Sequence, residues 1–196
     1  GYFGPTGRQL HVIAERVFAS GGAREMILVM PNCMNAFGGC MYSNSVTAGN
    51  WEGYVAEDLV AYMDSHYRTL ATRESRGLGG HSMGGYGAIR IGMKRPDVFS
   101  ALYPMSSCCL NEGTVRVRGE GPSPAETIHT LDEARGNRQA QGTLARAAAW
   151  APNPDKPPLY VDLPTKNGEV VPEVAVRWAA NSPVAMLDQY VPNLKQ

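Results

Sequence analysis

The sequence predicts an α/β fold, a three-layer sandwich in which helices cover both faces of a mostly parallel sheet. Three stretches carry this expectation. Residues 26–30 are apolar throughout, which is typical of a parallel strand buried on both faces. Residues 76–94 predict a short strand, a glycine-rich turn and a helix that ends before Pro96. Residues 99–106 predict a further strand that ends in small polar residues.

Helices and a long loop are expected between these strands. Apolar residues recur at helical spacing in 10–19 and 51–70. Residues 32–50 are rich in glycine, serine and asparagine and predict a loop. Because loops at the carboxyl edge of a parallel sheet commonly bind ligands, Phe37 and Tyr42 are candidate pocket residues. Ordinary loop packing is the alternative for each of them.

The second half of the chain is predicted to be mostly helical, unlike the alternating strands and helices of the first half. We nevertheless expect a single domain over 1–196. Residues 111–158 fit a helical cap inserted over the sheet. The expected elements are helices at 124–134 and 139–150, a strand at 159–163, and helices at 172–180 and 183–190. The last two helices each begin with a proline, which suits the first turn.

Composition and charge exclude several classes of partner. The 196 residues include 18 basic and 18 acidic side chains, so no excess charge points to nucleic acid or an anionic membrane. No apolar stretch approaches the roughly 20 residues that span a bilayer. Histidine, cysteine and carboxylate residues show no metal-ligand spacing, and no glycine-rich loop suits a phosphate, so no cofactor is expected. Compartment and oligomeric state stay open.

The four cysteines leave the redox state open. Cys33 and Cys40 either close a loop disulfide or remain small buried thiols. Cys108 and Cys109 are adjacent in sequence, which argues against a bond between them. None of the spacings is that of a zinc site.

Gly80-x-Ser82-x-Gly84 has the spacing of a nucleophile elbow, a sharp turn between a strand and a helix that presents a serine hydroxyl. We expect Ser82 to have a strained positive φ, and Gly80 and Gly84 to remove β-carbons that would collide there. The backbone N–H of Met83 is the expected oxyanion donor. A flexible glycine-rich turn that holds a serine by chance is the alternative. The strand before and the helix after the turn favour the elbow.

Residues 26–105 resemble the esterase D group of α/β-hydrolases, which contains S-formylglutathione hydrolases, feruloyl-type esterases and mycolyltransferases. The matching pieces are 27–32, 51–52, 67–69, 80–88 and 95–99. The resemblance implies an α/β-hydrolase sandwich and a small-molecule carboxylic ester or thioester substrate. It also implies an acyl-enzyme on Ser82 and a catalytic triad in the chain order serine, aspartate, histidine.

The base and acid of such a triad are hard to place. His11 and His66 precede the serine in predicted helices. His81 adjoins Ser82, where consecutive side chains of a tight turn diverge, so we expect it to line a pocket or to take part in packing. His129, within a predicted helix, is the remaining candidate base. Asp162, on a predicted strand, is the best candidate acid. For both His129 and Asp162 an ordinary structural role is the alternative.

We therefore expect the chain to be incomplete at both ends, with base, acid and a second oxyanion donor outside residues 1–196. On this interpretation the chain alone hydrolyses no ester appreciably. Two other functions remain open. An acyltransferase would use the same chemistry with an alcohol acceptor, and a hydrolase-like binding protein would use none of it.

Overall fold

A computed structural model of the chain describes residues 9–111 and 121–194. The chain divides into two compact units, Gly1–Pro31 and Asn32–Gln196. The expectation of a single domain and of a cap at 111–158 stays a prediction, and residues 112–120 of that segment lie outside the described residues.

The described part of the first unit, residues 9–31, contains one helix, α1 (Leu10–Ala19), at the predicted position. Gly21, just after it, has a φ of 72°, a left-handed conformation that glycine adopts without strain. The predicted strand at 26–30 is wrong, because this segment pairs with no strand among the described residues. Its apolar side chains are exposed rather than buried, from 56% at Met26 to 42% at Val29. An apolar run forms a strand only where another backbone is available to pair with it.

The second unit is built around two parallel strands and one helix. Strand β3 (Gly77–His81) pairs with β4 (Ala101–Met105), and the register runs from Gly77 opposite Ala101 to His81 opposite Met105. Helix α4 (Met83–Lys94) follows β3 and packs on both strands. The predicted strand, turn and helix are thus confirmed. Within the described residues these are the only parallel strands, so the larger parallel sheet is not confirmed.

The segment before β3 is largely the predicted loop and helix. A short antiparallel hairpin, β1 (Asn44–Ser45) with β2 (Gly49–Asn50), interrupts the loop. The helical stretch that follows has three parts, namely α2 (Trp51–Gly53), a π-helical segment (Tyr54–Asp58) and α3 (Leu59–His66). It ends four residues earlier than predicted because Tyr67 is extended, with a φ of −130°.

Two of the elements predicted after β4 are wrong. Instead of a helix at 124–134 there is a single 3-10 turn, Pro124–Thr127, after which Ile128 is extended. Instead of a strand at 159–163 there is one isolated bridge between Pro152 and Val161. In the segment 124–134, the Glu133 side chain accepts a hydrogen bond from the His129 N–H. This bond competes with the backbone hydrogen bonds that a helix would need.

The remaining helices agree with the sequence. They are α5 (Arg138–Trp150), α6 (Pro172–Ala180) and α7 (Pro183–Leu194), with a small hairpin of β5 (Thr165–Lys166) and β6 (Glu169–Val170) before α6. Helix α7 continues four residues beyond the predicted end and includes Pro192. No helix in the described part of the chain combines the length and apolarity needed to cross a bilayer.

Helix α4 supplies side chains to two buried clusters on opposite faces. Tyr86 belongs to a cluster with Trp150 and Trp178, in which successive ring centroids are 5.6 and 5.4 Å apart. Ile91 belongs to a second cluster that includes Phe99. Because α4 is buried on both sides, its first turn, next to Ser82, is held firmly.

Candidate active site

Ser82 lies between the last residue of β3 and the first residue of α4. Its φ of 56° and ψ of −114° fall outside the regions that L-residues ordinarily occupy, and the residue is exposed. Such a conformation costs roughly 1–3 kcal/mol and persists only where the surroundings impose it. The geometry expected of a nucleophile elbow is therefore present at this serine.

Backbone hydrogen bonds hold Ser82 on both sides. Its N–H donates to the carbonyl of Met105 at 3.0 Å, at the end of β4. Its carbonyl accepts from the N–H groups of Tyr86 and Cys108, both at 3.1 Å. Within residues 9–111 and 121–194 the hydroxyl makes no hydrogen bond. Hydrogen bonds fix the backbone of Ser82, while the residue itself is exposed.

The glycines around Ser82 are required to different degrees. A β-carbon on Gly80 would lie within 3.0 Å of the Gly84 carbonyl, so Gly80 meets the sequence expectation. The expectation for Gly84 is wrong. A β-carbon there would meet only the Tyr42 hydroxyl, at 3.8 Å. Gly85, which sequence reasoning missed, is the close neighbour instead, since its β-carbon would lie within 3.0 Å of Ser107 Oγ.

The first turn of α4 faces the space beside Ser82. N–H groups in the first turn of a helix have no acceptor within it and carry partial positive charge, and that of Met83 is the first in α4. A β-carbon on Gly39 would lie within 3.0 Å of Met83 Sδ, so the loop before β1 packs against the side chain that follows the serine. The role of the Met83 N–H as oxyanion donor stays a prediction.

The structure does not bring a candidate base to Ser82. No hydrogen bond connects the Ser82 hydroxyl with the rings of His66, His81 or His129. His66 Nδ1 lies 2.9 Å from the carbonyl oxygen of Tyr62, and the His66 ring stacks on the Tyr62 ring. The contacts of His66 are thus made within its own helix, α3. His81 ends β3 and is half-buried. His129 follows the 3-10 turn.

Asp162, the candidate acid, is occupied by other side chains. Arg177 Nη2 and Lys156 Nζ donate to its two carboxylate oxygens at 2.5 and 2.6 Å, and Asn153 Nδ2 donates at 2.9 Å. Burial opposes ionisation of this carboxyl, but the three donors outweigh it and lower the pKa of Asp162 from 3.8 to about 2. Its observed partners are two cations and an amide, with no histidine among them.

Phe37 and Tyr42, the candidate pocket residues, have different surroundings. Phe37 is 8% exposed and lines a cavity of about 440 Å³ together with Val46, Leu131 and Tyr160. Ser82 is not part of that lining. Tyr42 packs on α4, where a β-carbon on Gly87 would lie within 3.0 Å of its ring. Their contact with a substrate stays a prediction.

A buried ion pair, which sequence reasoning missed, anchors α4 behind the elbow. Arg90 Nε donates to Glu52 Oε1 at 2.7 Å, and Lys94 Nζ donates to Glu52 Oε2 at 2.5 Å. Arg90 also donates to Asn181 Oδ1 at 3.0 Å. Burial opposes ionisation of Glu52, but Lys94 and Arg90 hold its pKa below the usual range. The spacing of Tyr86, Arg90 and Lys94 every four residues was the available signal, since it places them on one helix face.

A metal ion needs a grouping of several ligating side chains. Across 9–111 and 121–194, no three histidine, cysteine or carboxylate side chains are grouped so that they could hold an ion. The feature of the site that bears on its chemistry is a strained, exposed serine beside the amino end of a helix.

Comparisons with known proteins place the chain among esterases. The model of the Esterase family, described as "Putative esterase", matches residues 11–194. Esterase MT1326 and Esterase Rv1288, from the CDC 1551 / Oshkosh and H37Rv strains of Mycobacterium tuberculosis, are each 33% identical to the chain over 75 residues. That match covers 36% of this chain and 16% of each relative, so the chain spans about a sixth of the length of these curated relatives.

One solved structure, a ferulic acid esterase, is 33% identical with a TM-score of 0.43, and the match covers 50% of this chain and 38% of that chain. The family model covers nearly the whole chain, including both strands and helix α4 around Ser82. The chain belongs to the Esterase family, an esterase-like group of α/β-hydrolases.

Proposed function

We propose that Ser82 is the nucleophile of an enzyme that hydrolyses carboxylic esters or thioesters. One observation carries the proposal, namely the φ of 56° and ψ of −114° that hold an exposed serine at the start of α4. A strained backbone persists where it serves a purpose, and here it presents a hydroxyl beside free helix N–H groups. Membership of the Esterase family and the relatives named as esterases support the same chemistry.

The reaction follows from the position of the hydroxyl. Ser82 Oγ attacks the ester carbonyl and gives its proton to a base, while the carbonyl oxygen becomes negatively charged. The Met83 N–H and the amino end of α4 stabilise that charge. The alcohol or thiol then leaves, and water hydrolyses the acyl-enzyme to return the free serine.

The base and the acid are proposed to lie outside residues 1–196. Two features support this. No ring of His66, His81 or His129 is hydrogen-bonded to Ser82, and Asp162 is engaged by Arg177 and Lys156. A histidine base needs a carboxylate that fixes its tautomer, and a carboxylate paired with two cations is poorly placed for that role. In this proposal Asp162 stabilises the fold.

Burst kinetics with p-nitrophenyl acetate test the proposal. The assay compares this chain with the natural protein at its native length. We expect the natural protein to release about one equivalent of nitrophenol rapidly, because an acyl-enzyme accumulates. Ser82→Ala should abolish the burst, whereas Ser65→Ala, which changes an exposed serine of α3, should retain it. An equal burst from Ser82→Ala would overturn the proposal.

The isolated chain provides a second comparison. Without a base, Ser82 Oγ is a weak nucleophile, so we expect steady-state hydrolysis by this chain to fall at least about 100-fold below that of the natural protein. Equal rates for the two proteins would show that the base lies within these 196 residues and would direct attention to His81 and His129.

A further inference from the structure

Two adjacent cysteines lie beside the elbow, just after β4. The Sγ atoms of Cys108 and Cys109 are 3.0 Å apart, no disulfide joins them, and both residues are partly exposed. Cys109 has a φ of 60°. The N–H of Cys108 donates to the carbonyl of Ser82 at 3.1 Å. Cys108 is therefore bonded to the backbone of Ser82, the same residue whose N–H donates to Met105 at the end of β4.

We propose that Cys108 and Cys109 form a reversible dithiol–disulfide couple, a modification site next to the elbow. Adjacency in sequence argues against such a bond, because neighbouring Cα atoms are about 3.8 Å apart whereas most disulfides join Cα atoms roughly 4.4–6.8 Å apart. In the structure, however, the two sulfur atoms are only 3.0 Å apart, so the side chains already point toward each other. The strain that remains in the backbone makes the bond easy to reduce, which is typical of labile rather than structural disulfides.

A small disulfide such as oxidised glutathione is a sufficient oxidant. The thiolate of one cysteine attacks it, forms a mixed disulfide and releases one glutathione thiolate. The second protein thiol gives up its proton and attacks the protein sulfur of the mixed disulfide. This step forms the Cys108–Cys109 bond and releases the second glutathione. The protein loses two electrons and two protons, and one small disulfide becomes two thiols.

The other two cysteines are an internal reference. Cys33 and Cys40 are 5% and 0% exposed, so an oxidant in solution reaches them less readily than the partly exposed pair. Trypsin separates the two pairs, since residues 95–116 contain Cys108 and Cys109 alone and residues 25–68 contain Cys33 and Cys40 alone. Each pair can therefore be followed in a single sample.

Peptide mapping after redox equilibration tests the proposal. The native chain is equilibrated with mixtures of oxidised and reduced glutathione, and its thiols are then alkylated, digested and weighed. Under oxidising mixtures we expect peptide 95–116 to carry no alkyl group and to be lighter by two hydrogen atoms, and dithiothreitol should reverse this. Two alkylated cysteines in the most oxidising mixture, or a lasting glutathione adduct, would overturn the proposal.

Repeating the glutathione equilibration in concentrated urea measures how much the folded structure favours the Cys108–Cys109 bond. Each cysteine χ1 has three staggered wells, and the fold holds both residues in the combination that brings the sulfurs together. We expect the equilibrium constant for the bridge to be about tenfold larger in the native protein, equivalent to about 30 mV. Equal constants would overturn the inference that the fold prepares the pair.

Cys109→Ser should give only a mixed disulfide at Cys108, because the second thiol is missing. The peptide mapping of the unchanged chain tests the proposal even if this variant fails to fold.

Discussion

Gly80 in β3 lies directly against Gly84 in α4, so that a β-carbon on Gly80 would lie within 3.0 Å of the Gly84 carbonyl. The contact is not symmetrical. A β-carbon on Gly84 would approach only the Tyr42 hydroxyl, at 3.8 Å. The close approach of strand and helix that brings Ser82 into its strained conformation thus depends on the first glycine of the motif.

The two glycines should respond differently to the same substitution. Gly80→Ala should lower the free energy of unfolding by about 2–3 kcal/mol, because the added methyl group meets backbone that cannot move aside. Gly84→Ala, the matched control, should change it by less than about 1 kcal/mol, since alanine favours the helix and has room. Urea unfolding measures both, and similar losses in the two variants would contradict the geometry.

The Glu52–Arg90 ion pair should be a major support of α4. Glu52→Gln should destabilise the protein by about 3 kcal/mol, because Arg90 would keep its charge in a buried position without its carboxylate partner. The control is Glu57→Gln, which removes a carboxylate that is 62% exposed and pairs with Arg95. We expect that variant to lose less than about 1 kcal/mol in the same unfolding assay. A small effect of Glu52→Gln would mean that the pair contributes little.

Asp162 should make stability depend on pH in the acid range. Its pKa is about 2 in the folded chain, compared with the ordinary value of 3.8, so the folded state favours the ionised carboxylate. The stabilisation is complete above pH 3.8 and is lost as the pH falls toward 2. Because Lys156 is 62% exposed, solvent screening reduces it to about 1–2 kcal/mol.

Urea unfolding of Asp162→Asn across this range checks the sign. The variant should be less stable than the parent chain at neutral pH, and the difference should shrink as the pH approaches 2. Asp155→Asn, at an exposed neighbouring position, should follow the parent chain throughout. A difference that grows with acidification would contradict the assigned pKa direction.

Local sequence signals located the elbow because its structure is determined locally. Gly80, the helix from Met83 and the stop before Pro96 act over a few residues, and these parts were predicted well. The alternation of strand, turn and helix around Ser82 needs no information from distant parts of the chain. The motif could not show that Gly85 rather than Gly84 is the tightly packed glycine, since that depends on Ser107.

Elements that depend on distant partners were predicted poorly. The apolar run at 26–30 satisfies the pattern of a buried strand, but no described strand pairs with it. Glu52 and Arg90 are 38 positions apart, and only the folded chain brings them together. Asp162 was a reasonable candidate acid by its order in the chain, yet Lys156 and Arg177 determine its environment.

Covalent labelling of Ser82 tests the central claim most directly. The natural protein is treated with a fluorophosphonate and digested with trypsin, which releases residues 77–90, a peptide with a single serine. We predict that the phosphonyl group is found on this peptide and that Ser82→Ala prevents labelling, while Ser65→Ala is labelled as fully as the parent protein. Labelling elsewhere in the protein with peptide 77–90 unmodified would contradict the assignment of Ser82 as the nucleophile.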